Sequence, residues 1–538
     1  MSTTVIYIIY ILTVLMALVP FPAELKRDLM MLQQNSYRNE RYMRWLRSSG
    51  DTTSVIRLMG IVMLLFLLTP MVPAVVSMPC AFLYCGCVTG RLLGAIYKKP
   101  LVWTNRAKRI YTVQMALALL AGVAVAIPLS LDGAVYTVCH IITCVAIGIY
   151  LLSHPITMAA NWLLKPVETH INNRYYNEAA DMLRSMPDLK VIGVTGSYGK
   201  TSTKHYLHRI LSEQFDTLMT PGSFNTPMGV IRTVREMMKP YNEVFIVEMG
   251  AKQVGDIKEI CDLVHPQMGI VTAVGEQHLE SFGSIENVQR TKFELVDALP
   301  SDGLAVVNND FPMCASRPVR NVECIRYAVN DTNGAARYIA EDIKYGADGT
   351  EFTIVDRENG MRLKLHTRLV GECNISNLIA AVIIALRLGM DSDKIAYAVE
   401  HIEQVEHRLN VKRTAGGITI IDDAYNSNPT GSKMAMDVLR QMTSGKRIVI
   451  TPGMIELGDK QEELNFRLGT YIATAADIAI IVGKYNRQAL TEGIASIEGG
   501  QCRVETADTF AEAQLMLGSI ARSGDTVLYE NDLPDTFK

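Results

Sequence analysis

With 538 residues the chain is too long for one ordinary hydrophobic core, so several domains are expected. A formal charge of −3 is close to balance and gives no basis for a nucleic-acid partner. The ten cysteines show no repeated pair spacing, and Cys80, Cys85 and Cys87 lie in an apolar stretch without His or acidic companions, so buried, reduced thiols are expected rather than a metal or disulfide framework.

Apolar residues make up 49% of the chain but crowd before residue 155. Val5 to Phe21, "VIYIIYILTVLMALVPF", is a borderline-length apolar span with neither a positive leading region nor a small-residue cleavage site, which argues against a signal peptide. Leu58 to Gly90 is longer than one helix needs, and Pro70 and Pro73 suggest a hairpin of two. Ile110 to Leu131 and Ala134 to Leu152 are further spans, divided by Asp132-Gly133. The domain 1–153 is therefore expected to hold about five transmembrane helices.

The connecting segments set an expected orientation. Lys26, Arg27, Arg38, Arg41, Arg44, Arg47 and Arg57 lie in 23–57, and Arg91, Lys98, Lys99, Arg106, Lys108 and Arg109 in 91–109, while the other connections carry no Lys or Arg. The positive-inside rule puts both basic segments in the cytoplasm, the N-terminus outside, and everything after Leu152 inside. The spans themselves carry almost no charge. Residues 154–186 read as an amphipathic linker.

From Leu189 onward, short buried-strand runs alternate with helical patterns: "KVIGVTG", "EVFIVEMG", "MGIVTAVG", "LAVVNND", "ITIIDDAY", "KRIVITPG", "IAIIVG" and "DTVLYE". This is the signature of an α/β fold, and the number of strands suits two sheets with a boundary near Asn410, giving domains 187–410 and 411–538. The first run leads into "TGSYGKTS", where backbone amides and a helix N-terminus can surround phosphate oxygens. Lys200 would reach the outer phosphates and the Thr201 hydroxyl would ligate Mg²⁺. The usual phosphate-loop pattern has Gly five residues before Gly199, where this chain has Val194; Thr195-Gly196 opens the loop instead.

This loop is followed in order by "PGSFNTPMG", "VEMGA", "EQHLESFGSIENVQRTKFEL", "GECNISNLIAA", "EHRLN", "DDAYNSNP" and "PGMIELGDKQEEL". Together they resemble the Mur ligase family, ATP-dependent amide-forming ligases of peptidoglycan synthesis, over about residues 187–538. The forms "HLESFGS", "AYNSNP" and "MIELGD" are most similar to the branch that adds D-alanyl-D-alanine to UDP-MurNAc-tripeptide. The resemblance implies a membrane α-helical domain followed by α/β, with a central P-loop ATPase domain and a C-terminal Rossmann-like domain. It implies ATP and Mg²⁺, an acyl phosphate made from a carboxylate, and a C-terminal domain closing over the nucleotide to exclude water.

Residue by residue, the resemblance makes Thr195, Gly196, Ser197, Gly199, Lys200, Thr201 and Ser202 the nucleotide loop. Glu248 matches an acidic Mg²⁺ ligand and His278 the ligand of a second Mg²⁺. Lys292 falls where the family carbamylates a lysine, so Lys200, His278 and Lys292 are the expected catalytic set, with Thr201, Glu248, His278 and Lys292 at the metal. Asn377 resembles an adenine contact that Asn225 joins, and Arg408 and Asp423 resemble a pair holding phosphate and ribose. Tyr425, Asn426, Asn428 and Pro429 shape a loop facing the cleft. Without the resemblance, Lys292 reads as a solvated helix residue, Arg408 as a surface charge and Asn377 as a helix cap.

The departures bear on substrate. The family branch begins with a soluble domain that grips UDP, and only about forty residues separate the last span from the loop here, too few for such a domain. Cys373 and Asn465 replace histidines, and "YENDLPD" lacks a Lys-Gly-Ser type ending. The expected partners are a cell-wall peptide precursor, UDP-linked or lipid-linked, an amine such as D-Ala-D-Ala, and the bilayer. The competing readings are a poly-γ-glutamate type ligase and a membrane transport or regulatory NTPase. Against the first stand the C-terminal motifs; against the second, the scarcity of charge in the spans.

Overall fold

The computed structural model describes residues 3–97, 99–130, 134–346, 349–405, 408–424, 428–442 and 444–531, so Lys98, Asp132-Gly133, Tyr425, Asn426 and the end of "YENDLPD" lie outside the described residues. The chain divides into two compact units between Asn172 and Asn173. The division falls inside one continuous helix, Ser153–Arg184, which occupies most of the expected linker.

In the N-terminal unit every apolar segment expected to span is helical: Thr3–Ala17, Val55–Leu68, Ala74–Gly94, Asn105–Ser130 and Val135–Leu151. Among the described residues, three helical stretches, Thr4–Gln34, Ala74–Gly94 and Asn105–Leu129, are long and apolar enough to cross a membrane. Val135–Leu151 makes a fourth only when joined to Ser153–Arg184, from which it is bent by 66°. Val55–Leu68 is short because the chain turns before Pro70 and Pro73; its 14 residues rise about 21 Å, against a hydrocarbon core of about 30 Å. Large apolar side chains such as Leu65, Leu120 and Leu129 are more than half exposed, a surface that water tolerates poorly.

The segment 23–57 is not a loop. It forms the helices Pro20–Gln34 and Asn39–Ser49 and carries buried charge. Glu24 accepts from Arg57 at 2.6 Å, Arg27 clasps Asp51, and His154 Nδ1 lies 3.0 Å from Asp28 Oδ2. All but Arg27 are nine-tenths or more buried. These charges lie outside the apolar spans read from the sequence, in the connecting segment 23–57 and at His154. The partners stand 24 to 126 positions apart in sequence, so no local pattern announces them.

The C-terminal unit contains two sheets. The strands of the first are β1 (Lys190–Thr195), β2 (Thr217–Met219), β3 (Val244–Met249), β4 (Met268–Val271), β5 (Leu304–Asn308), β6 (Glu323–Ala328), β7 (Tyr338–Gly346), β8 (Gly349–Asp356) and β9 (Arg362–Thr367), in the order 2-3-1-4-5-6-7-8-9. β1 to β6 are parallel and β7 to β9 add an antiparallel meander. β3, β4 and β5 are buried at every position. They read as unbroken apolar runs because helices cover both faces of a parallel sheet. The helix Glu372–Arg387, "ECNISNLIAAVIIALR", is buried around most of its circumference and joins the core on one face.

The second sheet comprises β10 (Asn410–Arg413), β11 (Thr419–Asp423), β12 (Arg447–Thr451), β13 (Ile478–Val482), β14 (Arg503–Ala507) and β15 (Thr526–Glu530), ordered 10-11-15-12-13-14. All pairings but β10 with β11 are parallel. β10 starts at Asn410, where the sequence opens a fresh series of strands.

Candidate functional site

β1 lies between β3 and β4, so the crevice at its carboxyl end opens where the strand order reverses. There the chain passes from Thr195 through Gly196, Ser197, Tyr198 and Gly199 into the helix Lys200–Leu211. Two contacts explain the glycines. Gly196 has φ 150°, and a Cβ there would stand 2.1 Å from Thr272 Oγ1; Gly199 has φ 77°, and a Cβ there would stand 2.4 Å from Asn377 Oδ1. No side chain caps the helix start, so its first amides and the positive end of its dipole are left to an anion.

Thr195 Oγ1 donates to Met249 O at 2.9 Å and Ser197 Oγ to Gly275 O at 3.1 Å, tying the loop to the strand ends on either side. Lys200 Nζ donates to Gly196 O at 2.7 Å and Ser197 O at 3.3 Å. Burial pushes the Lys200 ammonium down to about 8, against the pull of Glu248 and with the push of Arg408. Ser202 is buried in the first turn of the helix.

In strand register Glu248 sits beside Val194, one position short of the loop. Its Oε1 accepts from Thr201 Oγ1 at 3.2 Å and from Asn225 Nδ2 at 3.0 Å. Lys204 Nζ stands 3.0 Å from Oε2, and both side chains are essentially inaccessible. Burial raises the Glu248 carboxyl, but Lys204 and Lys200 outweigh it and hold the group below its ordinary value. A hard oxygen set of hydroxyl and ionised carboxylate suits Mg²⁺. Glu248 Oε2 makes no hydrogen bond despite Lys204's proximity, which leaves it an acceptor to offer.

Lys292, on the helix Ile285–Asp297, is 2% exposed and is not the solvated lysine its helix pattern suggests. Burial and the charge of Lys200 together lower it well below an ordinary lysine. His278 has a left-handed backbone, φ 54°, and its Nδ1 bonds Glu456 Oε2. Burial pushes its imidazole down, Glu456 opposes this, and the charges of Lys252 and Lys292 add to it. Lys200, Glu248, His278 and Lys292 therefore lie within one electrostatic neighbourhood.

Other expected residues fall differently. Asn225 reaches the Glu248 carboxylate rather than Asn377. Asn377 is buried beneath the loop, its Oδ1 accepting from Thr203 Oγ1 at 3.1 Å. Arg408 is close enough to act on Lys200, Lys204 and Asp423. Burial raises the Asp423 carboxyl to about 7 in spite of Arg408, and its Oδ1 accepts from Leu409 N. Asn428 caps the helix Pro429–Gln441 through Gly431 N at 2.7 Å. Burial pushes the Cys373 thiol up to about 12.

Sequence reasoning missed two residues. Lys204, one turn beyond Lys200, looks like an ordinary helical lysine yet forms the buried pair with Glu248. Glu456, in "MIELGD", is left-handed at φ 62° and accepts from both His278 and, at 3.2 Å, Lys252. Two non-glycine residues in strained conformations thus meet side chain to side chain. Lys460 pairs with Glu276 at 2.5 Å and Glu280 N donates to Glu456 O, so the 454–460 loop is clasped to 276–280. Asn465 is fully buried and braces the loop through Met454 N at 2.8 Å. A charge-assisted hydrogen bond is worth about 1.5–3 kcal/mol. Glu456→Ala is therefore expected to speed amide hydrogen exchange in 276–283 and 454–460 by about tenfold or more. Unchanged protection in both segments would show that the clasp carries nothing.

The Mur ligase middle domain family matches residues 194–385, and the Mur ligase glutamate ligase domain family matches 407–529. The UDP-N-acetylmuramoyl-tripeptide--D-alanyl-D-alanine ligase of Bacillus subtilis is 31% identical over 286 residues, which are 53% of this chain and 60% of that protein. The Escherichia coli K12 protein of the same name is 31% identical over 313 residues, 57% of this chain and 68% of that one. Among solved structures, MurF from Acinetobacter baumannii superposes with a TM-score of 0.59 at 26% identity, covering 67% of this chain and 77% of that one. MurF from Thermotoga maritima, solved with ADP, shares the fold with a TM-score of 0.58 at 24% identity, covering 67% and 80%.

Proposed function

This chain belongs to the Mur ligase family, and from that premise we propose that it is a MurF-like, ATP-dependent acid–amino acid ligase working at the inner face of the cytoplasmic membrane. The carboxylate of a cell-wall peptide precursor takes the γ-phosphoryl group of ATP, giving an acyl phosphate and ADP. The amine of an amino acid or dipeptide such as D-Ala-D-Ala then attacks the acyl carbon, forming the amide and releasing phosphate and a proton. The observation that carries this reading is the arrangement of Gly196, Gly199, Lys200 and Thr201 against the buried Glu248 carboxylate.

Phosphoryl transfer asks the protein for positioning and charge neutralisation more than for covalent help. The loop amides and Lys200 bind the phosphates. Thr201 and Glu248 would hold Mg²⁺, with His278 and Lys292 at a second ion; bound there, magnesium neutralises charge developing on the phosphoryl oxygens. Lys204 keeps Glu248 ionised, and the clasp at Glu456 holds the C-terminal loop over the site, excluding water from the acyl phosphate.

The N-terminal unit stands where the relatives carry a UDP-gripping domain. Its apolar surface fits a bilayer, with the two basic segments on the cytoplasmic side, the N-terminus outside, and about five spans of which Val55–Leu68 is the shortest. Tethering at the membrane raises the effective concentration of a lipid-linked acceptor while uniform binding of a UDP-linked one is lost. Purified full-length protein in lipid is expected to release ADP with D-Ala-D-Ala and acceptor. Its kcat/KM should be about tenfold or more higher for the lipid-linked acceptor than for the matched UDP-linked one. A truncation starting near Asn173 should lose that preference. Should the truncated enzyme use the UDP-linked acceptor as well as the full chain uses the lipid-linked one, the N-terminal unit is only an anchor.

A further inference from the structure

The two basic segments of the N-terminal unit converge on one cavity of about 250 Å³. Its charged wall comes from Glu24 and Arg27, Asp51, Arg57 and Arg91, with Tyr97 closing one side. Three guanidiniums against two carboxylates leave one positive charge in excess on this wall.

The wall has a fixed part and an uncommitted part. Arg57 spends Nη2 on Glu24 Oε1 at 2.6 Å and on Ser153 Oγ at 3.0 Å, and its Nη1 points at the carbonyls of Tyr150 and Leu151. Arg27 is spent on Asp51 and Glu24. Arg91, in the last turn of Ala74–Gly94, is exposed, and among the described residues no carboxylate pairs with it. The excess charge is therefore Arg91's, held over a cavity whose remaining charges already satisfy one another.

The surroundings specify the rest of the ligand. Val55, Leu93 and Ile96 adjoin the wall residues in sequence and are 74%, 71% and 92% exposed. A ligand seated here meets one guanidinium, the Ser54 and Tyr97 hydroxyls and an apolar flank, which suits an anionic head on a hydrocarbon chain better than a free ion. Arg57 lies in the first turn of Val55–Leu68, and Arg91 and Tyr150 in the last turns of Ala74–Gly94 and Val135–Leu151, so the cavity gathers these three helix ends just before the chain enters Ser153–Arg184. We propose that this cavity binds the phosphate-bearing headgroup of a membrane lipid, with Arg91 as the residue that contacts the phosphate. The proposal rests on the reading that this unit lies in a bilayer.

The test uses the full chain in phosphatidylcholine nanodiscs doped with phosphatidic acid, with retained lipid counted by native mass spectrometry. Wild type is expected to retain phosphatidic acid over phosphatidylcholine. Arg91→Ala should weaken that retention about tenfold and Arg91→Lys less, since lysine keeps the charge but not the fork. Arg91 is exposed and pairs with no carboxylate among the described residues, so its variants keep the fold, where Arg57→Ala would take from buried Glu24 one of its two guanidinium partners. Equal retention by wild type and Arg91→Ala overturns the proposal. Inorganic phosphate that displaces the lipid completely at millimolar concentration makes this a free-anion site and overturns it as well. Release of the chain from vesicles by alkaline carbonate sinks the membrane reading instead, and is scored separately from lipid retention.

Discussion

Lys200→Ala and Glu248→Gln are each expected to lower ATP-dependent ADP release by about 10³-fold, in line with the loss of a preorganised group at a developing charge. Lys200 is the cation that the loop aims at the phosphates, and its present hydrogen bonds to Gly196 O and Ser197 O show how little it must move to exchange carbonyls for phosphate oxygens. Glu248 links Thr201, Asn225 and Lys204, so its charge serves both the proposed magnesium position and the geometry of the helix start. The choice of glutamine matters. Glu248→Ala would leave Lys204 buried without its counter-charge, with only the Gly222 carbonyl to accept from it, and breaking a buried pair from one side costs about 3–5 kcal/mol. That variant would confuse lost stability with lost chemistry. Glu248→Gln keeps the volume and one acceptor, so thermal unfolding should shift far less than turnover. Membrane insertion should be unchanged in both variants, because neither residue lies in the N-terminal unit. Normal turnover in either one removes the assignment of this crevice.

Much of the catalytic unit is legible because the parallel strands advertise themselves. The eight runs read as strands correspond to β1, β3, β4, β5, β11, β12, β13 and β15. The meander β7 to β9 is different. Its edge strand β9, "RLKLHT", alternates between exposed and buried or half-buried positions, and a search for unbroken apolar runs passes over such an amphipathic strand. β2 is only three residues long and owes its existence to its neighbour β3.

The site divides along the same line. Local constraints, such as two glycines in conformations that a side chain could not occupy, leave a mark in the sequence. Pairings made by the fold do not. Lys204 and Glu248 are far apart in the chain, and a single lysine on a helix carries no sign of being buried. Asn225 finds Glu248 because the loop before Pro227 returns to the end of β3, and Asn377 lies under Gly199 because the helix Glu372–Arg387 packs against Lys200–Leu211. The charged core of the N-terminal unit is the extreme case, with six partners drawn from three separate stretches of chain.

Lys292→Ala is expected to lose activity by about 100-fold or more, the scale on which metal-supporting groups act, and short carboxylates or added bicarbonate should restore part of it. Burial and the charge of Lys200 hold the Lys292 amine well below its ordinary value. Both influences favour the neutral amine over the ammonium, and only a neutral amine attacks carbon dioxide. The reaction gives a carbamate and one proton, converting a cation among cations into an anion with two oxygen acceptors. The same neighbour that disfavours the ammonium then favours the product, since Lys200 attracts the carbamate as it repels the amine. A free ammonium at this position would oppose any metal at Glu248 and His278, whereas a carbamate would join their ligand set. In ¹³C-bicarbonate the wild-type chain should show a carbamate carbonyl resonance that Lys292→Ala lacks, with or without nucleotide. Lys292→Arg should be as inactive as alanine and resist rescue, because its guanidinium fills the space and keeps the charge. Normal activity of Lys292→Ala with no added carboxylate would return Lys292 to the core as a buried lysine with no part in the chemistry.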